Sequence, residues 1–154
     1  MSARPRPSVG VDVSAEGVRV ALSRARVADL VRGVLKAERV KHALVSVTFL
    51  DERAIARLNR EHLGHRGATD VISFALPGPE GGPVIGDVYI APAVVSANAR
   101  AHGRGAREEL ARVVVHGTLH VLGHDHPVDE SRTASPMWRR QEQLLRRLYD
   151  GARP

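Results

Sequence analysis

The segment HGTLHVLGHDH, His116 to His126, constrains the fold of this chain more than any other stretch, and it holds four of the eight histidines. On a helix, residues four apart lie on one face, one turn above the other. His116 and His120 therefore present two imidazoles to the same point. Gly123 is the residue type that lets a helix end and the chain reverse, and such a reversal returns His126 as a third ring. The fold must then carry a helix that ends near Leu122 and a loop that doubles back onto its last turn. The pattern His-x3-His-x2-Gly-x2-His has the metal-binding spacing of the metzincin signature. With no cysteine in the chain, a metal here sits on nitrogen and oxygen atoms. Three neutral imidazoles suit Zn2+, one ion per chain, and leave a fourth tetrahedral position for water. A purely structural zinc is the alternative, but such sites are typically closed by four protein ligands, usually including cysteine.

Gly117 stands where a zinc protease carries the glutamate that takes a proton from the metal-bound water. Glycine cannot do this, so a peptidase reading is weak despite the spacing. A zinc-bound water has its pKa brought down toward 7, so no adjacent carboxylate is needed to generate a nucleophile. Asp125 is the carboxylate nearest in sequence. It is a candidate base, or a residue that orients an imidazole, although an Asp in a tight turn serves turn hydrogen bonds equally well. His124 falls between ligand positions and is expected to point away. His42, His62, His65 and His102 have no partner spacing. Glu109 projects near the angle of the two helix ligands two turns earlier, where a salt-bridged helix start accounts for it.

Along the chain, GVDV (10–13) and GVRVAL (17–22) read as short extended segments around a turn. Residues 23–40 place Val27, Leu30, Val31, Val34 and Leu35 at helical spacing. HALVSVTFL (42–50) alternates and is β-branched, which predicts a strand. Asp51 suits the N-cap of a helix whose apolar stripe is Ala54, Ile55 and Leu58. VISFAL (71–76) and PVIGDVYIA (83–91) are strands around the turn-rich PGPEGG, which closes a hairpin. A short helix follows over about Pro92 to His102, broken by GRG. A longer helix spans about Ala106 to Leu122, and a last one about Pro136 to Tyr149, with Met137, Gln141, Leu144, Leu145 and Leu148 facing inward. The expected class is α+β: a small mixed β-sheet of about four strands, one hairpin among them, packed with about five helices. The three-His site lies at the end of a central helix. Residues 1–154 form one domain, with 1–7 and 151–154 as flexible tails.

The formal charge of +6 points to a polyanionic partner such as nucleic acid. Only two of the 23 cationic residues are lysines, Lys36 and Lys41, so a general arginine bias explains part of that charge. Aromatic content of 3% argues against base-stacking platforms. No apolar run is long enough to span a membrane, and the opening MSARPRPSVG does not read as a secretory signal. A cytoplasmic protein without membrane or disulfide-linked partners is expected.

Four stretches, in order, resemble the YbeY family of bacterial endoribonucleases and rRNA maturation factors. LNREHLGHRGATDVISFAL (58–76) is similar to its "LN…TDVLSF" block and IGDVYIAP (85–92) to its "LGDI" strand. HGTLHVLGHDHP (116–127) is similar to its "HGxLHLxGxDH" signature and MWRRQEQLL (137–145) to its closing "M…QE" helix. The resemblance implies a zinc-dependent, single-strand-specific endoribonuclease of the cytoplasm, acting on ribosomal RNA. It would work in 3′-end maturation of small-subunit rRNA and in ribosome quality control, with His116, His120 and His126 as metal ligands. It also implies a small mixed sheet packed with helices. Two positions depart from the family. An arginine that the family often carries after the LN pair, thought important for RNA handling, corresponds here to Leu63, which offers a phosphate neither charge nor donor. Arg60 or Arg66 takes over, or cleavage is weaker. His124 stands where Tyr is usual. Asp70, Ser73 and Asp87 fall in the matched strands, where turn hydrogen bonds and capping explain acidic residues as well as substrate contact does. Two rivals remain: a non-catalytic, zinc-stabilised ribosome assembly factor, favoured by Leu63, and a metal hydrolase of another substrate such as a peptide, opposed by Gly117 and the basic charge.

Overall fold

In a computed structural model of the chain, residues 8–127 and 130–149 are described. The expected tails at 1–7 and 151–154 lie outside them. The order is β1 (Val9–Ala15), α1 (Arg24–Ala37), β2 (Ala43–Phe49), α2 (Glu52–Leu63), β3 (Val71–Leu76), β4 (Val84–Ile90), α3 (Pro92–Ala101), α4 (Ala106–Val121), a short 3-10 turn (Glu130–Ala134) and α5 (Pro136–Tyr149). The expected α+β class holds: the sheet has order β1-β2-β4-β3 and is mixed. β1 and β4 flank β2 in parallel, and β3 closes the expected hairpin antiparallel to β4.

Local signals explain most boundaries. Ser23 caps α1 by accepting from the Arg26 amide, and Asp51 caps α2 by accepting from Ala54 N at 2.8 Å. Pro92 opens α3, where its missing N–H costs nothing. GVRVAL differs from expectation. β1 runs on to Ala15, opposite Phe49, and residues 17–22 pair with no strand. That segment is apolar because Val18 and Val20 pack against the core and Leu22 is buried in it. Helix α1 stops three residues short of Val40, and Arg39 turns the chain with φ 60.

The sheet alternation sorts its two faces. Val45, Val47, Phe49, Val88 and Ile90 point into the main core with α1 and α4. Ile72 lies in a second cluster with Ile55 of α2, Phe74 and Tyr89. Helix α4 is buried on nearly every side and packs on α1, α3, α5, β3 and β4, as expected of an element at the centre of a domain. It lies unusually close to β4. A Cβ at Gly117 would come within 2.6 Å of Val88 Cγ1, and one at Gly86 within 2.3 Å of Val121 Cγ1. A helix glycine thus sits over a strand valine, and one turn later a helix valine sits over a strand glycine. Among the described residues no helix is long and apolar enough to cross a membrane.

Candidate metal centre

Helix α4 carries His116 and His120 one turn apart, both half-buried, with ring centroids 4.6 Å from each other. The helix then ends in a Schellman turn. Gly123 N donates to His120 O and His124 N to Leu119 O, each at 3.0 Å, with Gly123 at φ 94. The reversal brings the His126 ring to 5.1 Å from that of His116 and 5.0 Å from that of His120. One ligand atom from each of the three lies within 4.8 Å of the others, and among the described residues the group stops at three. All three predicted ligands therefore converge.

Their remaining ring nitrogens are committed elsewhere. His116 Nδ1 is 2.6 Å from Gln141 Oε1, and His126 Nδ1 is 2.8 Å from the Pro127 carbonyl. These acceptors leave Nε2 of both rings free to face the centre. Burial drives His116 down to about 4, with His120 and His126 adding to the effect and the Gln141 bond opposing it. Burial also lowers His120, aided by His126 and opposed by a bond to the His124 backbone. Both rings are neutral near pH 7. Neutral imidazole nitrogens without thiolate or carboxylate fit a divalent ion of the zinc type.

The other predicted residues sort clearly. Asp125 accepts from the His126 amide at 2.8 Å, so it shapes the turn that delivers the third ring. His124 points away, as expected: its Nε2 lies 3.1 Å from Glu38 Oε1. Glu109 is in the expected helix-start ion pair, 2.6 Å from Arg112 Nη1 and 3.5 Å from Arg104 Nη1. Gly117 has no space for a glutamate or for any side chain, and Ser73 Oγ donates to its carbonyl at 3.1 Å. Asp87 neither turns nor caps: it accepts from Ser46 Oγ at 2.5 Å across the β2–β4 ladder. Leu63 ends α2 with 45% exposure, beside His62, whose ring meets Phe74 edge-on. His42 and His65 are exposed.

Three features escaped the sequence reading. A cleft of about 400 Å3 opens beside His116, walled by Asp70, His102, Arg104, Arg132 and Trp138. Burial raises the Asp70 carboxyl above its ordinary range, against the opposing pull of backbone amides. His102, given no role in the sequence, stands on that wall with Nδ1 2.8 Å from Asn98 O. Gln141 is 1% exposed and contacts a ligand ring; its signal was a polar amide in an otherwise apolar helix stripe.

Comparisons with known proteins show what the chain is similar to. Residues 12–149 match the family model described as Endoribonuclease YbeY. An Endoribonuclease YbeY from Chlorobium phaeobacteroides (strain BS1) is 37% identical over 119 residues, which cover 77% of this chain and 83% of that one. One from Pelotomaculum thermopropionicum is 40% identical over 122 residues, covering 75% and 79%. The solution structure of TM1509 from Thermotoga maritima matches with TM-score 0.60 and 25% identity, over 92% of this chain and 90% of that chain.

Proposed function

The chain belongs to the YbeY family, and on that footing we propose that it is a metal-dependent endoribonuclease cutting single-stranded RNA in the cytoplasm. Its substrate is ribosomal RNA of the small subunit, at 3′-end maturation and in ribosome quality control, and its metal is zinc. The observation that carries this reading is the convergence of three imidazoles without a fourth protein ligand among the described residues. His116, His120 and His126 would hold the ion. Zinc supplies a Lewis acid for the scissile phosphate. The neutral state of His116 and His120 keeps their nitrogen lone pairs available near pH 7. Asp125 acts on the placement of His126 through its backbone amide rather than on a proton in flight. The net charge of +6 draws in the phosphate backbone without reading its sequence. The packing of Gly117 against Val88 disfavours the zinc-peptidase alternative, because a base in that position has no room.

The test compares wild type with His120→Ala for bound zinc and for cleavage of single-stranded RNA. Loss of both in the variant is expected; equal cleavage by the two proteins overturns the reading. A second reading, a non-catalytic zinc-stabilised ribosome assembly factor, draws on the uncharged Leu63 at the end of α2. It expects ribosome association to survive ligand substitution and zinc-dependent cleavage to be absent from wild type.

A further inference from the structure

The three ligand rings are not oriented alike. His126 is steadied by a carbonyl next to it in sequence. His116 is steadied by a side chain from another helix, Gln141 of α5, and that side chain is itself part of a longer chain of contacts. Gln141 Nε2 donates to Glu142 Oε2 at 3.1 Å. The Glu142 carboxylate is gripped by Arg112, whose Nε donates at 3.2 and 3.0 Å to its two oxygens and whose Nη2 donates at 3.0 Å. The remaining Arg112 nitrogen, Nη1, donates to Glu109 at 2.6 Å. The path runs Glu109, Arg112, Glu142, Gln141, His116, and it crosses from α4 to α5 and back.

We propose that Gln141 is the positioning residue of the metal centre: its oxygen holds the His116 proton on Nδ1 and turns Nε2 toward the other two imidazoles, while Glu142 and Arg112 dictate which way the amide faces. The reasoning is one of donors and acceptors. An ionised carboxylate only accepts, so Glu142 requires the NH2 end of Gln141. A flipped amide would set oxygen against carboxylate oxygen in a buried site and leave a donor facing His116 Nδ1. With the amide fixed, Nδ1 must donate, and the lone pair of the neutral ring resides on Nε2. A bidentate arginine–carboxylate pair is geometrically stiff, so the stiffness of the pair passes through Gln141 to a ring that a lone helix residue would leave free to choose its tautomer. Arg112 and His116 are one turn apart on α4 and the two acceptors are adjacent on α5, so one helix–helix interface sets both ends. A neutral amide also makes the contact without adding charge to the centre, unlike the carboxylate that often fills this role at zinc sites.

This inference rests on the metal reading above only for its affinity readout; the tautomer readout is independent of it. The variant is Gln141→Met, which keeps the volume and removes the acceptor. Nitrogen-15 NMR of the metal-free protein reports the His116 tautomer, chelator competition reports zinc affinity, and circular dichroism confirms folding. Wild type is expected to show one Nδ1–H species. Gln141→Met is expected to show a mixture of tautomers and a loss of zinc affinity of about 10- to 100-fold. A folded Gln141→Met that keeps the single Nδ1–H signal and wild-type zinc affinity overturns the proposal. If wild type itself binds no zinc, the metal reading fails, and the tautomer comparison still decides the role of Gln141.

Discussion

The Val88 side chain of β4 packs directly against the bare backbone of α4 at Gly117, and the Val121 side chain packs against Gly86 of β4 in the same manner one turn on. Gly117→Ala tests this fit. Replacing an interior helix glycine by alanine would ordinarily stabilise a helix by up to about 1 kcal/mol. Here the new methyl meets a fully buried valine with a stiff χ1, and overpacking costs typically 1–3 kcal/mol. We expect net destabilisation, read as a melting temperature lower by a few degrees. An unchanged or raised melting temperature would show that the interface has slack.

The pH dependence of the metal-free protein follows from His116. Burial lowers its folded pKa from 6.5 to about 4, so the unfolded chain takes up the proton first as pH falls. The contribution to stability is complete above about 6.5 and is lost as pH falls toward 4. The loss is on the order of 3 kcal/mol for a shift of that size. Urea unfolding of wild type and His116→Gln across pH 4–7 measures it, and the variant should show a flatter profile in that window.

Metal should stabilise the fold by mass action. Zinc at a thousandfold excess over its dissociation constant adds about 4 kcal/mol to a state that alone binds it. Thermal unfolding with zinc and then with excess chelator should differ accordingly, and amide hydrogen exchange at residues 123–126 should speed up on chelation. In His126→Ala both differences should shrink sharply.

Arg112 is buried among Glu108, Glu109 and Glu142, at 3.6, 2.6 and 3.0 Å. Arg112→Met leaves those carboxylates facing one another without a cation. Removing one partner of a buried pair costs about 3–5 kcal/mol, and we expect a loss near the lower figure because Glu108 and Glu142 are partly solvated. Chemical denaturation measures it; a loss under 1 kcal/mol would show that the cluster contributes little.

Leu63→Arg asks whether the position matters for RNA. A new cation at the exposed end of α2 should tighten binding to single-stranded RNA several-fold. It should also steepen the logarithmic salt dependence by about 0.7 for each single-strand phosphate engaged. Fluorescence anisotropy over a salt series reads both, and an unchanged slope would place Leu63 outside the RNA path.

Much of this was legible in the chain. Alternation in 42–50, the PGPEGG turn and the Asp51 cap report on neighbours a few residues away, and β2, the hairpin and α2 came out close to expectation. The helix-glycine-loop spacing of His116, His120 and His126 is likewise local, which is why the convergence of the three rings could be read directly. GVRVAL misled because apolar alternation signals burial, and burial there comes from packing on the core without a ladder partner. The reason for Gly117 was invisible, since it depends on β4 lying beneath α4 in one register. Gln141 was legible as an inward-facing residue, but its contact with His116 was not, because that partner is 25 residues away on another helix. The cleft beside His116 draws its walls from widely separated segments, and no spacing rule anticipates that.

Two of the three rings ride on a buried helix, while the third hangs from a half-exposed bend held by a single aspartate and a neighbouring carbonyl. On the proposed metal reading, capture and escape of an ion would be asymmetric: the helical pair stands fixed on a buried helix, and excursions of the half-exposed bend that carries His126 would set the lifetime of the loaded state.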